Sequence, residues 1–254
     1  MSEKNIAIIF AGGSGARMGS GLPKQFLEVN GKPIIIYTLE IFEEHPDIDS
    51  IYIACKEDYI AKLEKLVKRF LITKVRKIVP GGETGQDSIY NALSAAAEEN
   101  PADSLVLIHD GVRPCISGET IDNVLECARK NGNAVTCTEL FETPVVSEGG
   151  EFVEDLPSRD KFYTAQAPQC FSLGDVMKAH AEVRKEGKGY EGIIDTCTLM
   201  KKMGAKVAIV KGPRGNIKVT TPEDLYLFRA MIQYHETEHV FGFNVKEVEP
   251  NLKK

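Results

Sequence analysis

The chain has 254 residues, 43% hydrophobic and 27% charged, enough to bury one large α/β core or two small ones. A net charge of -6 and an isoelectric point near 5.5 argue against nucleic acid as a partner, so functional cations must be local. The polar start at 1–5 does not read as a secretory signal, so none is expected, and no run approaches the ~18 apolar residues of a membrane span.

Six scattered cysteines without a Cys-x-x-Cys pair suit reduced thiols, so the expected setting is the cytoplasm, with no membrane contact. Taken in chain order, the first feature is the apolar run Ile6–Ala11, which reads as a buried strand. It empties into a loop over 12–25 with five glycines, two basic residues and no acid. Glycines let the backbone approach a ligand and aim N–H groups at phosphate oxygens, and Arg17 and Lys24 add full charges. The dinucleotide fingerprint fails because Met18 stands where its third glycine belongs, and no Gly-Lys-Ser/Thr closes a P-loop. What remains is a polyphosphate cradle of another kind.

Strands are predicted at Ile6–Ala11, Ile51–Cys55, Lys77–Val79, Leu105–His109, Ala134–Thr138 and Lys206–Val210. Helices are predicted at Pro33–Glu44, Asp58–Phe70, Asp87–Glu99 and Gly118–Asn131. In the second helix Ile60, Leu63, Val67 and Phe70 share one face. The alternation predicts an α/β fold, a mainly parallel twisted sheet with helices on both faces. Ligands bind such sheets at the carboxyl ends of the strands, where loops 12–25, 80–86 and 110–114 converge.

The second of these loops, Gly81 to Ser88, precedes a helix whose free N–H groups and Ser88 hydroxyl suit a base edge or an anion; the alternative is capping by Asp87 or Ser88. In the third, Asp110 can hold Mg²⁺ through one oxygen while a triphosphate supplies the other ligands, and Arg113 can take a phosphate. An Asp–Arg pair stabilising the turn is the plainer reading, and His109 is expected to pack at the strand end. From Glu142 to Gln169 charge and proline accumulate. Val145-Val146 and Phe152-Val153 flank Gly149-Gly150 as limbs of a projecting β-hairpin arm that covers the site or grips another subunit. Near the C-terminus Thr221, Pro222 and Asp224 form a helix start, and Lys218, on the strand expected before it, points either into the site or into water. His235-Glu236-Thr237-Glu238-His239 matches a zinc pattern but falls at a polar helix end, so it reads as a solvated face. The expected organisation is one domain over 1–240, including the arm at about 142–165, then a mobile tail over 241–254.

The blocks Ala11 to Met18, Pro23 to Phe26, Gly81-Gly82 with Asp87-Ser88, His109 to Pro114, Ala167 to Phe171 and Asn216 to Thr220 stand in an order that resembles one family. It is the cytidylyltransferases of the methylerythritol-phosphate and ribitol-phosphate group, and the likeness runs from about Ile6 to Ile232. The resemblance implies a Rossmann-like fold, Mg²⁺ dependence and a homodimer whose arms complete each other's sites. It implies that CTP is held by Ala11, Gly12, Gly13, Ser14, Gly15, Gly82 and Ser88. Arg17, Lys24 and Lys218 match positions that bind the triphosphate and stabilise the reacting phosphate. Asp110 matches the acid near metal and polyol, Arg113 and Thr143 match substrate-binding positions, and Arg159 matches an arm arginine that reaches the neighbouring subunit's substrate.

The implied reaction joins CTP and a small polyol phosphate into a CDP-polyol and pyrophosphate. Leu156 to Tyr163 looks closer to the ribitol-phosphate branch, so ribitol 5-phosphate is the expected acceptor and 2-C-methyl-D-erythritol 4-phosphate of isoprenoid synthesis the alternative. Gly85, Ala167, Ile194 and Gly215 depart from the usual pattern. A nucleotide-binding relative without catalysis is the remaining class.

Overall fold

β1 (Asn5–Ala11) is buried at every position except the half-buried Phe10, and its alternating side chains define two cores. Ala7 and Ile9 join the core that includes Ile35, Leu39, Leu63 and Leu125; Ile6 and Ile8 join the one that includes Ala92, Leu93, Val176 and Leu199. A strand with both faces covered has no polar side to alternate with, which is why it reads as an uninterrupted apolar run. The computed structural model describes residues 3–13, 21–185 and 189–241, the last five as backbone only. Ser14, Gly15, Arg17 and the tail beyond Phe241 lie outside the described residues.

After β1 come a short 3₁₀ turn (Lys24–Phe26), β2 (Glu28–Val29), β3 (Lys32–Pro33) and α1 (Ile34–Glu44). Then follow β4 (Ser50–Cys55), α2 (Ile60–Arg69), β5 (Val75–Pro80), α3 (Gly85–Ala97), β6 (Leu105–Asp110), α4 (Gly118–Asn131) and β7 (Asn133–Glu139). The arm leads to β8 (Tyr163–Ser172), α5 (Leu173–Lys185), α6 (Thr196–Lys202), β9 (Ile209–Lys211) and α7 (Pro222–Phe241). β2 and β3 pair as a separate ribbon, and the other seven form one sheet in the order β5-β4-β1-β6-β8-β7-β9. All its neighbouring pairs are parallel except those of β8, which runs antiparallel to both β6 and β7.

The chain winds from β1 outward through β4 to β5, then returns to the other side of β1 as β6. The order of winding therefore reverses beside β1, and in an open sheet of this kind the ligand crevice lies at the carboxyl ends of the strands next to that reversal, here β1 and β6. α1, α2 and α4 cover one face of the sheet; α3, α5 and α6 cover the other. A third cluster, including Val29, Ile34, Val112, Val219 and Phe228, seats α7 against the loop after β6.

Several sequence expectations need correction. Lys218 does not lie on a strand; it sits in an irregular segment between β9 and α7. Beyond the β7–β8 ladder the described arm pairs at Val146 with Asp155, so Phe152 and Val153 belong to its turn rather than to a limb. α3 is capped by Thr84, with Asp87 returning the bond to the Thr84 backbone and Ser88 placed inside the helix. The last strand begins at Ile209, not Lys206.

Candidate active site

Where β1 ends, Ala11 is buried and the backbone turns out through Gly12 and Gly13. The fully enclosed Gln25 donates from Nε2 to the Ala11 carbonyl at 2.5 Å, tying the start of the glycine loop to the turn that carries Lys24. That turn is fixed from below by Phe26, stacked on Tyr59 with centroids 5.2 Å apart. Lys24 therefore stands between two buried neighbours, Pro23 and Gln25, that fix its backbone next to the glycine loop.

The loop after β5 meets the same place. Gly81 N–H donates to the Cys55 carbonyl at 2.7 Å, and Gly82 N–H donates to Ser88 Oγ at 3.0 Å. Ser88 Oγ in turn donates to the Thr84 carbonyl at 3.1 Å, so this buried hydroxyl organises the loop. A Cβ on Gly82 would lie 2.2 Å from Asp87 Cβ, and one on Gly12 would lie 2.7 Å from Ser88 Oγ. Only glycine lets the two loops close to this distance. Arg184 Nη1 donates to Asp87 Oδ1 at 3.0 Å and so braces the α3 cap from α5.

The charged centre lies at the end of β6. Arg113 Nε donates to Asp110 Oδ2 at 2.8 Å, and Lys218 Nζ lies 2.5 Å from Asp110 Oδ1. Arg113 Nη1 also donates to the Asn216 carbonyl at 2.8 Å, and Val219 N–H donates to the Val112 carbonyl at 2.9 Å. These bonds lash the segment carrying Lys218 to the loop carrying Arg113. Burial opposes ionisation of Asp110, but Lys218 and then Arg113 outweigh it and hold the carboxyl below its usual range. One carboxylate facing two cations leaves one positive charge in excess, with unused N–H groups on Lys218 for a phosphate. His109 is fully buried, donates from Nε2 to the Arg113 carbonyl at 3.1 Å, and is pushed down to about 4 by burial.

Phe10, Asp110, Arg113 and Lys218 line a pocket of about 310 Å³ with residues from α3, β8 and the start of α6. A larger hollow of about 530 Å³, lined by Asp175, Lys178, Glu182 and Met203, shares no residue with these loops and gathers none of this chemistry. Among the described residues no three His, Cys, Asp or Glu side chains are grouped closely enough to hold a metal ion.

The family model described as IspD, 2-C-methyl-D-erythritol 4-phosphate cytidylyltransferase, matches residues 5–234. The chain belongs to this cytidylyltransferase family. It is 46% identical over 239 residues to the ribitol-5-phosphate cytidylyltransferase of Vibrio parahaemolyticus, covering 94% of this chain and 100% of that one. To the 2-C-methyl-D-erythritol 4-phosphate cytidylyltransferase of Clostridium botulinum (strain Langeland) it is 37% identical, covering 91% of this chain and 98% of that one. The crystal structure of 4-diphosphocytidyl-2C-methyl-D-erythritol synthase from Anaerococcus prevotii superposes with a TM-score of 0.78 at 28% identity, covering 91% of this chain and 96% of that one. The fold is thus Rossmann-like, and the protein is a nucleotidyltransferase.

The cytidylyltransferase brings together Ala11, Gly12, Gly13, Gly82 and Ser88 at one lip of the crevice, and Asp110, Arg113 and Lys218 inside it. Thr143 and Arg159 lie elsewhere, exposed on the arm, where Arg159 Nη1 donates to the Phe141 carbonyl at 3.1 Å. The arm also exposes Phe152, Leu156 and Val145. Two organising residues escape a motif reading. Gln25 was visible only as part of a block, and Asn216, fully buried, donates to the Ala167 carbonyl at 2.6 Å to anchor the Lys218 segment on β8. His235 and Glu236 of the zinc-like pattern are exposed on α7, and His239 falls among the side chains not described. No described helix is long and apolar enough to cross a membrane.

Proposed function

We propose that this cytidylyltransferase transfers CMP from CTP to ribitol 5-phosphate, releasing pyrophosphate. The observation that carries the reading is the Asp110–Arg113–Lys218 cluster, a cation-rich, carboxylate-fixed centre beside a glycine-lined lip. The nucleophile is a phosphate oxygen of the acceptor. A phosphomonoester with its second pKa near ~6 is already mostly ionised at neutral pH, so no general base is required.

The obstacle is bringing one polyanion against another, and the site answers it by positioning and charge neutralisation. Lys218 stabilises the five-coordinate phosphorus from the β6 side. Lys24, with Arg17 of the same loop, offsets the charge on the departing pyrophosphate. A magnesium ion fits this arrangement as a substrate-borne ion. Asp110 is the carboxylate that would hold it alongside the substrate's own phosphates, and the ion would supply further charge neutralisation. The free state of all six thiols supports a cytoplasmic setting.

Acceptor choice rests on the higher identity to ribitol-5-phosphate enzymes and is decided by initial rates with CTP. Ribitol 5-phosphate should give the highest kcat/KM in a panel with 2-C-methyl-D-erythritol 4-phosphate and glycerol 3-phosphate. A higher value for the methylerythritol substrate would reassign the enzyme.

The exposed apolar arm and its arginine support a homodimer in which Arg159 and Thr143 reach the partner's acceptor. Arg159→Ala should raise the acceptor KM by about 10–100-fold, the range for a lost charge-assisted hydrogen bond, and leave the CTP KM unchanged. Normal acceptor kinetics in that variant would remove the arm from the site.

A further inference from the structure

The pocket beside Asp110 has side chains that the charge-neutralising machinery does not use. Gln86, in the first turn of α3, is 4% exposed; Thr196, at the start of α6, is 1% exposed. Both line this pocket. Gln86 Oε1 and Thr196 Oγ1 are buried without a hydrogen-bond partner among the described residues. A buried polar atom left unmade is costly, so two in one pocket point to a missing ligand.

The neighbouring polar side chains are, by contrast, committed. Asp195 accepts from Thr198 and Gln169, and Gln169 accepts from Cys197 N–H at 2.8 Å while donating to Asp195 at 2.8 Å. Gln86 and Thr196 are not a site for the phosphate, which Arg113 and Lys218 attract. They are neutral groups, an amide oxygen that needs a donor and a hydroxyl that can both give and accept. A carbon chain bearing hydroxyls satisfies both. The nucleotide is the weaker occupant, because Gly12, Gly81, Gly82 and Ser88 are not among the pocket's lining residues. Gly85 leaves the adjoining space open, since a Cβ there would meet nothing within 4 Å.

We propose that Gln86 and Thr196 read the hydroxyls of the acceptor and so help set which polyol phosphate reacts. This rests on the acceptor being a polyol phosphate. A site built around a substrate hydroxyl rejects an analogue lacking it because its own polar atoms are then stranded.

The test is steady-state kinetics of the full-length enzyme, Gln86→Leu and Thr196→Val, varying CTP, ribitol 5-phosphate and glycerol 3-phosphate separately. Each variant should raise the ribitol 5-phosphate KM by about tenfold, as for one lost hydrogen bond, and hold the CTP KM within about twofold. The preference for ribitol 5-phosphate over glycerol 3-phosphate should narrow by a similar factor. A shift in the CTP KM instead, or unchanged acceptor KM and preference, overturns the proposal. Thermal unfolding midpoints show whether each variant folds. Loss of the fold in one leaves the other to decide, and loss in both assigns the two side chains to the core and overturns the proposal. Wild-type inactivity with every polyol phosphate defeats the parent reading and this one with it, whereas an active wild type with unmoved variants defeats this one alone.

Discussion

Lys218→Ala should lower turnover by about 10²–10³-fold, the loss typical of removing one donor aimed at developing charge. Its ammonium lies 2.5 Å from Asp110 and 5.9 Å from the Phe10 ring centroid, so it stands where β1 and β6 deliver their loops. The side chain is partly exposed, and Arg113 still pairs with Asp110 when it is gone, so the fold should survive. The centre would lose its excess positive charge, and the acceptor phosphate would face an Asp–Arg pair of zero net charge. Lys24→Ala should fall in the same range from the opposite side of the reacting phosphorus. Thermal unfolding midpoints near wild type with turnover reduced would place both effects in the chemistry. Turnover within threefold of wild type would remove the residue concerned from the mechanism.

Stability should fall steeply on mild acidification because two buried histidines must remain neutral in the folded state. Burial pushes both His109 and His180 down to about 4 from the ordinary 6.5. Between those values the unfolded chain binds protons that the folded chain refuses, so stability declines as the pH falls from 6.5 and levels off below about 4. Each histidine accounts for on the order of 3 kcal/mol across that window, from about 1.4 kcal/mol per pKa unit. Together that is a large part of a domain's usual ~5–15 kcal/mol.

Asp110 acts lower on the scale. Its depressed carboxyl keeps its stabilising pairings until the pH drops beneath the normal carboxylate range, so it does not blur the histidine window. The two effects meet in function, since His109 holds the Arg113 carbonyl beside Asp110. Urea midpoints at pH 7.5 and pH 4.5 measure the effect, and a His109→Gln, His180→Gln double variant should flatten the difference. Equal midpoints in the wild type would contradict the assignment.

The central strands and the carboxyl-edge loops were legible because burial on both faces writes a continuous apolar run. β1, β4 and β6 each read that way, and the first glycine loop follows β1 directly. β8 was not legible. It opens with three exposed residues and carries Gln166, Pro168 and Gln169 between β6 and β7, a composition that argues against a strand. The register shows how it is accommodated: Val135 pairs with Gln169 and Cys137 with Ala165, so the ladder lapses where Pro168 cannot donate. Thr136 Oγ1 donates to the Pro168 carbonyl at 2.8 Å across the gap.

The site was legible in its residue types but not in its pairings. Lys218 could face either way from sequence, because its direction depends on Asn216 gripping Ala167 and on the Val219–Val112 bond. Gln86 carried no signal of its own, since its meaning lies in a pocket assembled from six separate segments. α5 and α6 were missed for a related reason. α5 carries a glycine in its first turn, and α6, only seven residues long, is defined chiefly by its Asp195 cap.

The central claim is that the β1, β5 and β6 loops hold CTP so that an acceptor phosphate attacks its innermost phosphorus. Phosphorus NMR of the enzyme with CTP, magnesium and ribitol 5-phosphate tests it most directly. The account predicts equal growth of pyrophosphate and of a new diphosphate diester, with matching loss of the phosphomonoester. Unchanged CTP, or its conversion to CMP and pyrophosphate with the monoester signal intact, would contradict it.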